Sequence, residues 1–397
     1  MRQLKLRAVF MRGGTSKAVM LRVADLPRER ALWAPIFLAM MGSPDVNGRQ
    51  LDGMGGGISS LSKVCVIGPP SRADADVDYT FAQVSVKGVS VDYSGNCGNM
   101  SSAVGPFALD EGLFTPRGNG EVAIRIHNTN TRKIIVSRFQ IDDGAAAVDG
   151  DFALPGVAGT GAPVKLEFLD PGGAGTGRLL PTGGVIETLE VAGHGPIEAT
   201  MVDAANPCVF VDAAALGMSG IEMPEEIEAN GALLARLEAI RRAASVRMGI
   251  ATTTETAARI PSIPKVAMVT GPRQARTLAG DTTRADAADV TVRMISQEQP
   301  HRAVPLTGAM CLAVAARLPG SLVHRVARAV AAGDPVRIAQ PSGITVVDAS
   351  VRKRGDSWVA ENATVYRTAR RLMEGVVYLR ASALPADLRA SPRTLLT

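Results

Sequence analysis

Apolar and polar residues alternate over 4–10 and 17–22, a period of two that predicts a pair of strands around a turn at 11–16. The pattern becomes helical over 27–41, with Pro27 in the first turn and Gly42 just past the end. A Gly/Ser-rich loop, LDGMGGGISSLSK, runs into a short apolar strand at 64–68. Two strands follow within 78–93, and then a helix of small residues from 98 to 111. Alternation returns at 121–127 and 133–141, and residues 142–185 carry turn signals such as DPGGAGTG.

From 186 the pattern restarts. ETLEV, IEATMVDA and CVFVDA read as strands, with a turn at Asn206-Pro207 before the last. An amphipathic helix spans 225–246, with Leu233, Leu234, Leu237 and Ile240 on one stripe. PKVAMVTG is a strand, 284–296 reads as a helix, and strands return at 344–352, 357–367 and 373–380. CGNMSSAVG (97–105) set under TGAMCLAVA (307–315) shares Gly, Met, Ala and Val at equal offsets, each at the start of a small-residue helix. A duplication would give two similar lobes with a cleft between them. The predicted domains are 1–185 and 186–397, with the final strand and tail returning to the first lobe.

Composition narrows the classes. Of 397 residues 46% are hydrophobic and 20% charged, enough for a large core and too apolar for a disordered chain. The net charge of +5 and pI near 9.2 suit an anionic small molecule, or simply Arg used for solubility. No basic run interleaved with aromatics points to nucleic acid, and the densest basic patches, Arg241-Arg242 and 367–371, suit outer faces of a helix and a strand. Cys65, Cys97, Cys208 and Cys311 form no CxxC pair and have no nearby His, so no metal site is expected. No apolar stretch is long enough to span a membrane, and the start lacks a signal-like segment, so a cytoplasmic location with reduced thiols is expected.

Neither glycine-rich stretch matches a nucleotide loop: RGGTSK lacks the phosphate-loop spacing and GMGGGI lacks the third glycine of GxGxxG. What they offer is close backbone approach and bare N–H groups. Cys97, between Gly/Asn pairs at a helix entrance, sits where orphan N–H groups favour a thiolate and can hold a carboxylate; an inert buried cysteine is the plainer alternative. Lys63, at the threshold of a buried strand, is the candidate partner, against the plainer reading of a solvated lysine. A free lysine with a pKa of about 10.4 is a poor base at neutral pH until burial or a nearby cation lowers it. Together the pair suits proton transfer between two carbons, with Lys63 as base, Ser59, Ser60, Ser62, Thr15 or Ser16 as donors to a dienolate, and Arg12 on a distal carboxylate.

The stretches MRGGTSK, DGMGGGISSLSK, DYTFAQVSV, DYSGNCGNMSSAVGPFA, ATMVDAANPCVFVDA, VRMGIA, PKVAMV and QPSG resemble the PrpF family of 2-methylaconitate isomerases and their relatives, from about residue 7 to 380. The resemblance implies an α+β, diaminopimelate epimerase-like fold: two pseudo-symmetric lobes, each a β-sheet wrapped around a central helix. It implies catalysis by Lys63 and Cys97, with no cofactor and no metal. Asn96, Gly98 and Asn99 carry over as carboxylate contacts, and Ser59, Ser60, Thr15, Ser16 and the turn of Pro341, Ser342 and Gly343 as further substrate contacts. Thr307 and Gly308 stand at the second helix entrance, where the epimerases carry a second cysteine.

The implied substrate is an unsaturated di- or tricarboxylate of the 2-methylaconitate or aconitate type. 4-Oxalomesaconate tautomerase and methylitaconate isomerase are the alternatives, since PHRAVPLTGAMC departs from the methylaconitate branch. Outside enzymes, the alternative is a small-anion binder or an accessory protein of an aconitase-like enzyme. No nucleic-acid or membrane partner is expected, and a homodimer is compatible with the sequence.

Overall fold

The structure, a computed structural model, describes residues 3–116, 118–296, 298–331, 333–386 and 388. It divides into two compact units: Met1–Leu166 with Tyr366–Thr397, and Glu167–Val365. The tail at 389–397 lies outside the described residues.

In the first unit the chain forms β1 (Gln3–Gly13), β2 (Ser16–Arg22), α1 (Trp33–Met41), β3 (Lys63–Gly68), β4 (Val77–Val84), β5 (Val91–Asp92), α2 (Gly98–Asp110), β6 (Gly120–Asn128) and β7 (Lys133–Asp142). The late strand Ala369–Arg380 runs antiparallel to β1. Across the sheet, β1 and β2 are antiparallel, β2 and β3 parallel, β3 and β4 antiparallel, β4 and β6 parallel, and β6 and β7 antiparallel. Successive side chains on β3 point to opposite faces. Val64 and Val66 pack with Ile36 and Phe37 of α1 in one core. Lys63 and Cys65 therefore face the other way, toward the side filled by α2.

That helix is buried from Met100 to Leu109 and touches β1, β2, β3, β6, β7 and the Ala369–Arg380 strand. Small residues allow the sheet to close around it. A Cβ on Gly105 would stand 2.6 Å from the Ser137 hydroxyl and 2.8 Å from the Phe139 ring.

The second unit repeats the scheme. Strands Glu187–Val191, Gly195–Ala204 and Asn206–Asp212 are successively antiparallel. Asn206–Asp212 is parallel to Lys265–Thr270, which is antiparallel to Val290–Ser296. Val290–Ser296 is parallel to Val336–Gln340, which is antiparallel to Gly343–Arg354. The order of pairings matches that of the first unit step for step. Its central helix, Leu306–Ala316, is buried from Leu306 to Ala315 and packs on the strands around it.

Several expectations need correction. The helix expected over 284–296 is a short 3-10 turn, Ala285–Ala287, followed by the strand Val290–Ser296. Residues 290–295 are all buried, so the segment is a strand covered on both sides and shows no alternation of buried and exposed positions. The helix expected from 27 starts at Trp33, after a 3-10 turn. Gly42 ends it with φ 75°, the left-handed conformation that glycine adopts without strain. The helix expected over 225–246 is two, because the Asn230 side chain accepts from the Leu233 N–H and caps a new start. The turn expected at Asn206-Pro207 lies at Ala205, with φ 61°, and both residues begin the next strand. Arg241 is not on an outer face: it is 1% exposed and donates to Glu238 and to the Ala257, Ile260 and Ile263 carbonyls.

Candidate active site

Lys63 opens β3 and is buried, at 7% exposure. The register places it opposite Gln83, and Cys65 opposite Phe81. The ammonium Nζ donates to Gln83 Oε1 at 2.5 Å and lies 5.0 Å from the Phe81 ring centroid. The Gln83 amide spends its own N–H groups on the Ser59 and Ser62 carbonyls, at 3.0 and 2.9 Å, which turns its oxygen toward the lysine. An oxygen acceptor and an aromatic face are both partners for a cation.

Cys97 is the N-cap of α2, half-buried, with φ −102° and ψ 96°. The first intrahelical bond is from the Ser101 N–H to the Cys97 carbonyl, at 2.9 Å. Gly98, Asn99 and Met100 come before it, so their N–H groups have no acceptor within the helix and carry the positive end of its dipole.

Lys63 and Cys97 share a neighbour. Burial pushes the Cys65 thiol well above its ordinary pKa; the charge of Cys97 pushes it further, while Tyr79 and Lys63 pull it back. Cys65 Sγ lies 3.7 Å from the Tyr79 hydroxyl, whose pKa is likewise raised by burial, then by Cys65 and Cys97. Both candidate residues thus act electrostatically on one buried thiol on the α2 side of β3.

The glycines of RGGTSK have a spatial reason. A Cβ on Gly13 would stand 2.7 Å from the Asn99 carbonyl oxygen. One on Gly14, whose φ is 52°, would stand 2.3 Å from Asn99 Oδ1. The β1–β2 turn therefore lies directly against the first turn of α2. Asn99 Nδ2 donates to Thr15 Oγ1 at 3.0 Å, and Arg367 Nε donates to Asn99 Oδ1 at 3.2 Å. Ser16 is buried beside Thr15. Arg12 Nη1 donates to Gly14 O, Thr368 O and Thr368 Oγ1 at 2.9–3.1 Å, and burial, then Arg370, lowers its pKa. Asn96 Oδ1 accepts from Asn128 Nδ2 and Ser101 Oγ, both at 3.4 Å. Ser59 is exposed and Ser60 half-buried in the 3-10 turn that enters β3.

The remaining candidates belong to the second unit. Thr307 is buried in the first turn of Leu306–Ala316 and accepts from Asn206 Nδ2 at 3.3 Å. Cys97 caps its helix, whereas Thr307 lies one residue inside its own. Gly308 packs against Met294, whose Sδ would be 2.4 Å from an added Cβ. Ser342 Oγ donates to the Arg302 carbonyl at 2.5 Å, and Gly343 begins the next strand. Among the described residues no three His, Cys, Asp or Glu side chains cluster as a metal site, and no helix is long and apolar enough to cross a membrane.

This constellation can be set beside known proteins. The sequence profile described as PrpF protein matches residues 3–380. The chain belongs to the PrpF family. It is 42% identical to a 3-methylitaconate isomerase of Eubacterium barkeri over 96% of this chain and 99% of that protein. It is 40% identical to a 2-methyl-aconitate isomerase of Shewanella oneidensis over 94% of this chain and 97% of that one. A crystal structure of a methylitaconate-delta-isomerase superposes with a TM-score of 0.81 at 40% identity, covering 97% and 98% of the two chains. A hydroxyproline epimerase from Agrobacterium vitis superposes with a TM-score of 0.54 at 12% identity, covering 99% and 98%. That last likeness shows the epimerase-like fold alone, and this PrpF chain has that fold, with a sheet wrapped around a central helix in each unit.

Sequence reasoning overlooked four residues around the PrpF motifs. Gln83 was within a quoted stretch, but only the strand register shows that it faces Lys63. Asn128 and Asn130 belong to a polar NTNT turn after β6; Asn130 bonds to Phe81 N and O and to the Tyr93 carbonyl, pinning the chain that leads to Cys97. Arg367, read as part of an outer basic patch, is 7% exposed beside Asn99. Burial alone lowers its pKa to about 10. The signal that could have found it is position: it ends one long strand, with only Thr368 between it and the next.

Proposed function

We propose that this protein is an isomerase that relocates a proton and a double bond in an unsaturated di- or tricarboxylate of the 2-methylaconitate or 3-methylitaconate type, using Lys63 and Cys97. The observation that carries this reading is that buried Lys63 lies on the face of β3 turned toward α2, the helix that Cys97 caps. A full-length likeness to isomerases weighs against the anion-binder and accessory-protein alternatives.

The chemistry follows from the groups present. A base removes an allylic proton next to a carboxylate, the electron pair moves into a dienolate, and an acid protonates the far carbon. Sequence alone gave the base's part to Lys63. The Gln83 oxygen and the Phe81 ring support the reverse assignment, because both are partners for an ammonium. Cys97, as thiolate at the helix N-terminus, takes the proton; the Lys63 ammonium steadies the dienolate and supplies a proton at the other end. In the return direction the parts exchange. The first-turn N–H groups of α2 and the Asn96, Asn99 and Thr15 side chains hold carboxylate and orient the substrate.

The test is a panel of 2-methylaconitate, 3-methylitaconate, cis- and trans-aconitate and 4-oxalomesaconate, followed by NMR. Isomerisation of at least one, lost in Lys63→Ala and Cys97→Ala, is expected. No turnover of any, with binding retained, would favour the anion-binder reading.

A further inference from the structure

Other arginines in this part of the first unit, exposed or half-buried, have an acid. Arg7 and Arg371 meet Glu111, and Arg371 also meets Glu374. Arg367 and Arg12 differ: among the described residues, neither has a carboxylate within ion-pair distance. Arg367 is more than nine-tenths buried. Its Nε goes to Asn99 Oδ1 and its Nη1 to the Tyr366 carbonyl at 2.8 Å, while Nη2 has no hydrogen-bond partner among the described residues. Among the described residues Arg12 spends only Nη1, on Gly14 and Thr368.

An uncompensated buried cation is costly, and a methionine would fill the same space at less cost. Position is the second observation. Arg367 Cδ would be 3.2 Å from a Cβ on Gly14, so its stem lies under the turn that abuts α2, and its fork bonds the second residue of that helix. One guanidinium without an acid thus lies at a helix end whose own N–H groups point out of the helix, and a second, Arg12, is bonded to the adjoining Gly14 and Thr368.

We propose that Arg367, oriented by Asn99 and backed by Arg12, binds a carboxylate of the substrate. This rests on the reading of the substrate as an unsaturated polycarboxylate, and adds the residue that selects for its charge. The anion completes the guanidinium's hydrogen bonds and supplies the missing counter-charge. Loss of the fork weakens binding of a tricarboxylate without touching the proton relay.

Calorimetric titration of the full-length protein with propane-1,2,3-tricarboxylate, a saturated acid that cannot react, tests this. Wild type binds. Arg367→Met weakens binding by at least about tenfold, the loss of one charge-assisted contact, and Arg367→Lys falls between. Without ligand, the Arg367→Met melting midpoint is equal to or above that of wild type, because an unpaired buried charge has gone. Wild-type affinity in either variant overturns the proposal. So does an Arg367→Met midpoint that drops while its affinity holds. If Arg367→Met does not fold, Arg367→Lys decides alone. Failure of wild type itself to bind any di- or tricarboxylate would sink the substrate class, and this proposal with it; wild-type binding that the variants share would sink Arg367 only.

Discussion

The two units are built to one plan and equipped differently. Lys63 opens β3, and Lys265 opens the strand at the matching place in the second unit. KVCVIG and KVAMVTG even share their first two residues. Yet Lys63 meets Gln83 and Phe81, while the partners of Lys265 Nζ include the Ser262 carbonyl at 3.3 Å, three residues back in its own chain. At the helix entrances, one unit has a half-buried thiol as cap and the other a buried threonine held by Asn206. The second unit does have thiols, Cys208 and Cys311, but both are fully buried, and burial pushes Cys311 far above its ordinary pKa. The comparison teaches that one topology can supply the same strand-and-helix frame twice and surround its opening lysine with different partners.

The comparison breaks or holds first on activity. Lys63→Ala and Cys97→Ala are each expected to lower turnover by about 10²–10⁴-fold or more, the usual range for losing a proton-transfer group. Circular dichroism should show an intact fold. A smaller loss is expected from Gln83→Leu, which removes one charge-assisted hydrogen bond: about ten- to a hundredfold in kcat with little change in KM. An unchanged kcat there would mean that Lys63 needs no cross-strand partner.

The far ends of the central helices sharpen the contrast through pH. At the end of α2, burial raises the Glu111 pKa, but hydrogen bonds from Arg7 and Arg371 outweigh it and the net shift is downward. A carboxylate with a lowered folded pKa adds stability that is complete above its unfolded value, and that is lost as pH falls through the folded one. Glu111→Gln should therefore cost about 1–3 kcal/mol at neutral pH, with the gap to wild type closing as the solution is acidified below the carboxylate range. Denaturant melts across pH would check it; a pH-independent gap would contradict it. The other helix ends in Arg317, which bonds the Val330, Ala331 and Asp334 carbonyls, groups that do not titrate. The smallest effect is expected at the twin lysine: Lys265→Met should leave turnover within about tenfold of wild type, a barrier change under about 1.4 kcal/mol. A loss equal to that of Lys63→Ala would end the asymmetry.

Much of this was legible in the sequence, and the reasons are local. Alternation marked β1, β2, β6 and β7, and Gly/Asn pairs around Cys97 marked a helix entrance correctly. Local pattern failed where tertiary context overrode it. The strand Val290–Ser296 is covered on both sides, so it carries no period-two signal, and its Arg293 is buried and bonded to the Ile221 and Glu222 carbonyls. Gln83 and Arg367 were illegible for a different reason. Each matters through a partner distant in sequence: Gln83 through strand register, and Arg367 through a helix that precedes it by more than half the chain.

The most direct test of the relay is exchange of the allylic hydrogen in heavy water, read by NMR on whichever acid wild type turns over. Wild type should exchange and isomerise together. Cys97→Ala should do neither, and Lys63→Ala should exchange slowly without completing the shift. Isomerisation at the wild-type rate in either variant would contradict the account.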